Sequence, residues 1–238
     1  GTATTDSNGV AQISITAGSL AGSGSVVASL SSGETGRVAF TSAGDGAGGG
    51  PEVATVGLFT STQQLSSSGA EGITLTALVK DANNNLIEGA DVSFSSNSGE
   101  LQITKATTGA DGKATALLNT ELDKSNRTIQ VTATSNSVND ILDVFVVGTT
   151  INISGTSTLA IGDENSFIVK LLDSDGNGIG GQVIAMSAAN SGGASITFPD
   201  SVTTDANGQA TLLVTGNTGG TNSIVASALG ATTEKSIA

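Results

Sequence analysis

Alternation of apolar and polar residues is the dominant pattern in this chain. Ile73, Leu75, Ala77 and Val79 are apolar at every second place, with Thr74, Thr76 and Leu78 between them. A period of two puts such residues on one face of a β-strand. The rhythm returns at Val92 and Phe94, at Ile129, Val131 and Ala133, and near Ile141 to Val147. A second series follows in the same order: Phe167, Val169 and Leu171, then Ile184 and Met186, then Ile224 and Ala226. Short strands with turn signals about every ten residues predict an all-β fold of sandwiches, and two series in one order predict the same sandwich twice.

One stretch occurs three times, about a hundred residues apart. It runs Thr4 to Ile15, Thr107 to Leu118 and Thr203 to Val214, with glycines at Gly9, Gly112 and Gly208. Its Asn-Gly or Asp-Gly step predicts a type I′ hairpin, in which both central residues take positive φ. The strand that follows buries Ala11, Ile13 and Ile15 in the first copy, Ala114, Ala116 and Leu118 in the second, and Ala210, Leu212 and Val214 in the third. Its role is structural, with no chemistry of its own.

This phasing divides the chain into four parts. Residues 1–42 read as the C-terminal part of a truncated immunoglobulin-like domain, with strands at Ala11–Ile15, Val26–Ala28 and Arg37–Phe40, and are expected to be incomplete, frayed or completed by another chain. Residues 43–51 are a glycine-rich linker. Residues 52–148 and 149–238 are two full sandwiches. From Val144 to Ile153 the sequence is almost continuously extended through Gly148-Thr149-Thr150, which predicts a stiffer second junction.

Composition narrows function mainly by exclusion. The 238 residues include no Cys, His, Trp or Tyr and six Phe. Thiol chemistry, imidazole bases and histidine metal sites are therefore absent, and the cores are aliphatic. The net charge of −13 argues against a nucleic-acid or anionic-membrane surface, since both need a cationic footprint. No apolar run approaches the length of a membrane span. The chain reads as an excerpt from a longer exported protein.

Two related turns carry the remaining candidate chemistry: Asp81-Ala82-Asn83-Asn84-Asn85 and Asp173-Ser174-Asp175-Gly176-Asn177. Oxygen-bearing side chains at alternate places resemble the opening of a calcium loop, which makes Asp173, Asp175 and Asn177 the calcium candidates. The bidentate glutamate that closes such a loop is missing, because Val92 and Ile184 stand in its place. A polar turn held by Asx hydrogen bonds is the favoured reading. The pairs Asp173/Asp175, Asp163/Glu164 and Asp140/Asp143 are solvated charge rather than glycosidase dyads, since no Trp or Tyr offers a sugar platform. The Asn126-Arg127-Thr128 and Asn152-Ile153-Ser154 sequons are expected by chance in so Asn- and Thr-rich a chain.

The paired turns after a valine-rich strand, followed by Thr-Thr-Asp-Ala-Asn-Gly-Gln-Ala at residues 203–210, resemble the bacterial immunoglobulin-like group 1 repeats of intimin and invasin type adhesins. Asp205-Ala206-Asn207-Gly208 matches the family's hairpin in full. Asp81 to Leu86 has Asn for Gly and Leu for Pro, and Asp173 to Gly178 keeps Gly but lacks Pro. The resemblance implies tandem sandwiches in an elongated rod, about 35–45 Å per unit, that serves as a stalk on the bacterial surface. It implies cell adhesion through a separate tip, anchorage in the outer membrane by regions outside this chain, and no catalysis or cofactor. The implied partners are neighbouring repeats, a host receptor met elsewhere in the protein, and self-association through the incomplete N-terminal segment. Three other classes stay open: a glycan- or protein-binding module, an accessory domain of a secreted hydrolase, and a filament subunit completed by a neighbouring chain.

Overall fold

The computed structural model describes residues 2–15, 22–42, 52–190 and 195–238, which form two compact units, Gly1–Glu52 and Val53–Ala238. The glycine-rich stretch 43–51 lies outside the described residues.

In the first unit, β1 (Gly22–Ser29) and β2 (Thr35–Ser42) pair antiparallel, with Val26 opposite Val38 and Gly24 opposite Phe40. The strand expected over Ala11–Ile15 does not form. The Asn8-Gly9 turn is present, but Val10, Ile13 and Ile15 stay exposed. Alternation creates a strand only where a neighbour supplies a hydrogen-bonding edge, and no described residue does so here.

The second unit contains β3 (Thr55–Thr60), β4 (Gln64–Ser66), β5 (Ile73–Lys80), β6 (Ser93–Ser96), β7 (Glu100–Lys105), β8 (Lys113–Asn119), β9 (Arg127–Ser135) and β10 (Val138–Val147). They make two four-stranded sheets, ordered β3-β5-β8-β7 and β4-β10-β9-β6. Every neighbour is antiparallel except β4 and β10, which run parallel. Eight further strands repeat the scheme: β11 (Thr150–Ser154), β12 (Glu164–Leu172), β13 (Val183–Asn190), β14 (Ser195–Thr197), β15 (Ser201–Thr203), β16 (Gln209–Thr218), β17 (Asn222–Ala228) and β18 (Ala231–Ile237). Their sheets are β11-β12-β16-β14 and β15-β13-β17-β18, the second differing from its counterpart in that β15 lies beside β13, whereas β4 lies beside β10.

Each sandwich closes its own core from the alternating residues. Leu75, Ala77, Val79, Ala116 and Leu118 of one sheet meet Ile129, Val131, Ala133 and Val144 of the other, all fully buried. In the second sandwich Phe167, Val169, Leu171, Leu212 and Val214 meet Ile184, Ile224 and Ala226. Burial of each larger aliphatic side chain contributes about 1.5–3 kcal/mol. Phe167 takes the place that Leu75 holds in the first core. Its extra volume is accommodated because Gly155 lies against the ring, where a Cβ would come within 2.4 Å of Phe167 Cδ1.

The repeated signature differs from its expectation in two respects. Gly9, Gly112 and Gly208 have φ of 78°, 65° and 72°, but Asn8, Asp111 and Asn207 are not in the positive-φ region. The turn is therefore not type I′. Gly208 N–H donates to Asp205 O at 3.0 Å and Asp205 N–H to Gln209 O at 2.7 Å, the arrangement of a type I turn followed by a left-handed glycine. The Asp205 carboxylate accepts the N–H groups of Asn207 and Gln209 at 2.8 and 2.9 Å, as Asp6 does for Asn8 and Val10. Those bonds favour the type I geometry over its mirror image.

The turn also does not join two paired strands in the second sandwich. β15 belongs to one sheet and β16 to the other, so the signature is a corner where the chain changes sheets. The second threonine fixes this corner. Thr204 Oγ1 donates to Ile179 O at 2.8 Å and accepts Gln182 N–H at 2.9 Å. Thr108 repeats this with Ile87 O and Ala90 N at 2.6 and 2.9 Å, and both threonines are buried. Valine at either place would strand a backbone donor and acceptor, so Thr204→Val and Thr108→Val are each expected to cost about 1–3 kcal/mol. Thr5, in the first copy, is exposed, and Thr5→Val should stay within about 0.5 kcal/mol. Urea unfolding of the three variants checks the contrast.

Candidate functional site: the joint between the two sandwiches

Between β10 and β11 lie two residues, Gly148 and Thr149. The expected unbroken extension stops at Gly148, whose φ is 106° and where a Cβ would meet Ser174 Cβ at 2.4 Å. Glycine is required there because the turn after β12 packs directly on the backbone.

Three groups of bonds tie the sandwiches together. Ser174 N–H donates to Ser67 Oγ at 3.0 Å, and Ser68 N–H donates to Ser174 Oγ at 3.0 Å. Ser67 is fully buried by this contact. Asn126 N–H donates to Leu229 O at 2.8 Å, with Gly230 seated against the Asn126 carbonyl so closely that a Cβ would lie 2.3 Å from it. The Asn126 side chain meanwhile clamps the connector, accepting Thr149 N–H at 3.0 Å and donating to Thr149 O at 2.9 Å. The third tie is ionic: Lys124 Nζ donates to Asp173 Oδ2 at 2.6 Å.

Arg127 supports the loop that presents Lys124 and Asn126. Its guanidinium donates to the carbonyls of Asp123, Ser125 and Thr120 and pairs with the Asp123 carboxylate at 3.3 Å. Beside the ties, Leu122, Lys124, Gly178, Gly180, Gln182 and Leu229 line a cleft of about 460 Å³.

Asp173 is the calcium candidate with the most altered surroundings. Its Oδ1 accepts the N–H groups of Asp175 and Asn177 at 3.0 and 2.9 Å, while Lys124 engages Oδ2. Burial opposes its charge, but the Lys124 bond and the two backbone donors outweigh that penalty and hold its carboxyl below the ordinary range. The structure brings Asp173, Asp175 and Asn177 together as one Asx turn. In it Asp175 and Asn177 supply backbone donors, and among the described residues no three acidic side chains gather to hold a metal. Asp81, its counterpart, makes the same turn in the open, with Asn85 Nδ2 on Oδ2 at 3.0 Å; that bond first, and Asn85 N–H next, lower its pKa. Asp140 is used differently, accepting Leu58 N–H at 2.8 Å.

Sequence reasoning placed Thr149 in the junction but missed the parts that Lys124, Asn126, Ser67 and Ser174 play there. The one available signal was local: Gly148 and Thr149 fall between two alternating series, so their neighbours in space had to be joint residues.

Two closed sandwiches in series, with this strand order and these separate cores, define a tandem immunoglobulin-like β-sandwich protein. Residues 55–147, the first complete sandwich, match the bacterial Ig-like domain (group 1). It is 30% identical over 187 residues to the inverse autotransporter adhesin YeeJ of Escherichia coli (strain K12); that match covers 75% of this chain and 8% of the relative's length. The fold is shared with the adhesin InvE of Yersinia pseudotuberculosis at a TM-score of 0.52 and 20% identity, over 80% of this chain and 61% of that one.

Proposed function

We propose that this chain is a non-catalytic spacer in a bacterial surface adhesin, a pair of sandwiches whose fixed joint sets the reach of the segment. The observation that carries this reading is the joint, where a clamped two-residue connector, serine contacts and an ion pair resist bending from different sides. A flexible tether would need none of them. The likeness to an inverse autotransporter adhesin supports a place on the cell surface, with membrane anchorage and receptor contact supplied by other parts of the protein. Neighbouring repeats are then the direct partners of this segment.

The test uses a convenience of composition: with no native Cys, a pair of introduced thiols can be labelled uniquely. Spin labels at Gln102→Cys and Thr232→Cys, both on exposed strand positions, report the distance across the joint. A single narrow distance distribution is the expected result, and a broad one would remove the spacer reading.

A further inference from the structure

The joint holds a site of spontaneous covalent change. An asparagine followed by glycine is the step most open to it, because no side chain shields the backbone nitrogen that follows. The chain has three such steps, Asn8-Gly9, Asn177-Gly178 and Asn207-Gly208. In two of them that nitrogen is engaged: Gly9 N–H donates to Asp6 O and Gly208 N–H to Asp205 O, each at 3.0 Å, and Gly208 is buried.

Asn177-Gly178 is built differently. Asp173 N–H donates to Asn177 O and Ile179 N–H to Leu171 O, each at 2.9 Å, so Leu172 and Gly178 face each other as the non-hydrogen-bonded pair of an antiparallel ladder. The N–H of such a residue points away from its partner strand, and among the described residues Gly178 N–H meets no acceptor. Gly178 also lines the cleft of about 460 Å³, through which water reaches it. The Asn177 carboxamide is exposed and has no hydrogen-bond partner among the described residues. In the sister turn Asn85 Nδ2 is held by Asp81 Oδ2 at 3.0 Å, but Lys124 occupies the equivalent oxygen of Asp173 at 2.6 Å. The ion pair that ties the joint thereby frees the amide beside it.

We propose that Asn177 is a deamidation site and that its reaction loosens the joint. Gly178 N attacks Asn177 Cγ; the N–Cγ bond forms, the Cγ–Nδ2 bond breaks, and the proton of Gly178 N leaves with the amide group as ammonia. Water then opens the cyclic imide at one of its two carbonyl carbons, giving aspartate or isoaspartate. The balance is one amide and one water consumed, one carboxylic acid and one ammonia released. Isoaspartate routes the main chain through Cβ and Cγ and so lengthens it between residues 177 and 178. The two bonds flanking Gly178 cannot both survive that insertion, because the residue is wedged against the signature turn, where a Cβ on it would lie 2.0 Å from Asn207 O. The same turn holds Ser174 on Ser67 and Asp173 on Lys124, and either product sets a new carboxylate in that turn beside Asp173 and Asp175. Hydrolysis does not restore the amide, so the change accumulates as the protein ages.

The experiment incubates the chain at mildly alkaline pH, folded and in urea, and follows residues 177 and 207 by peptide mapping with mass spectrometry. In urea the two steps should react alike. In the folded chain Asn177 is expected to convert about 10-fold or more faster than Asn207, whose glycine nitrogen is released only by local opening. The labels at Gln102→Cys and Thr232→Cys give the second readout: their distance distribution should broaden as Asn177 converts and stay narrow in an equally aged Asn177→Gln variant, whose longer side chain closes the ring poorly. Folded Asn177 reacting no faster than Asn207, conversion without broadening, or equal broadening in the variant would overturn the proposal. The loosening rests on the spacer reading, and the two fail differently: a distribution already broad before incubation removes the spacer, while the rate comparison still decides the site.

Discussion

Gly208→Ala is expected to cost the second sandwich roughly 3–5 kcal/mol, a large share of the about 5–15 kcal/mol that holds a typical domain folded. Two effects add. At φ 72° an L-residue is strained, and a Cβ would lie 2.5 Å from Leu171 O, 2.6 Å from Gly178 Cα and 2.6 Å from Ile179 N. All three atoms are backbone, so no rotamer change relieves the overlap. The other two signature glycines predict a graded series. At Gly112 the nearest atoms are Leu86 Cβ and Cδ2 at 3.0 Å and Val79 O at 3.2 Å, a looser fit than at Gly208, and Gly112→Ala should cost about 1–3 kcal/mol. Gly9 has nothing within 4 Å, leaving only the left-handed backbone, at about 1 kcal/mol. Urea unfolding resolves the two sandwich variants, and local hydrogen exchange reads the Gly9 variant. Equal costs at Gly208 and Gly112 would show that backbone conformation alone, and not the close approach of Gly178, governs this turn.

That gradation marks the limit of what the sequence reveals. The strand faces were legible because burial on a sheet follows period two: Leu75, Ala77 and Val79, or Phe167, Val169 and Leu171, fall in the cores they were expected to fill. The turns were legible as turns but not by type. Asn-Gly favours positive φ at both places in isolation, yet all three copies take the other geometry; a carboxylate at the start of the turn supports it in two of them by accepting the N–H groups at the third and fifth residues, and Gly109 stands at that place in the other. The same backbone serves Asp6, Asp81, Asp173 and Asp205, so the calcium-like spacing and the signature are two appearances of a single turn. Left-handed Asn84, at φ 66°, fills the place that glycine takes elsewhere.

What was not legible depends on three-dimensional meeting. Nothing local distinguishes Asp173 from Asp81; one faces a lysine 49 residues away and the other faces water. Asn126 stood in a chance sequon, and its clamp on Thr149 appears only once the 120–126 loop is folded over the connector by Arg127. Thr108 and Thr204 were legible only as part of the repeated signature. They are buried because their hydroxyls reach across to the backbone of Ile87 and Ala90 or of Ile179 and Gln182, a tertiary contact outside the period on which pattern reading relies.

Asp173→Ala is expected to destabilise the joint by about 2–4 kcal/mol, because it removes an ion-pair partner and the acceptor of two backbone N–H groups at once. Asp81→Ala, in the same turn without the lysine, should cost about 1 kcal/mol. Lys124→Met leaves the buried carboxylate with its two backbone donors but no cation. Adding Asp173→Asn removes that stranded charge and keeps an oxygen for both donors, so the double variant should be more stable than Lys124→Met alone. The pH dependence has a definite sign. The folded pKa of Asp173 lies below its ordinary value of 3.8, so its contribution is complete above that value and is lost as pH falls through the folded pKa. In Lys124→Met the opposing effect of burial gains weight, the folded pKa rises, and loss begins at higher pH. Carboxyl titration by NMR, together with the width of the label distance across the joint, reads both effects. Because the lysine ammonium already occupies Oδ2, millimolar calcium should raise the melting temperature of the parent chain no more than magnesium does. A calcium-specific rise abolished by Asp173→Asn would show that the metal displaces Lys124, and the joint would then be a cation-gated hinge instead of a fixed one.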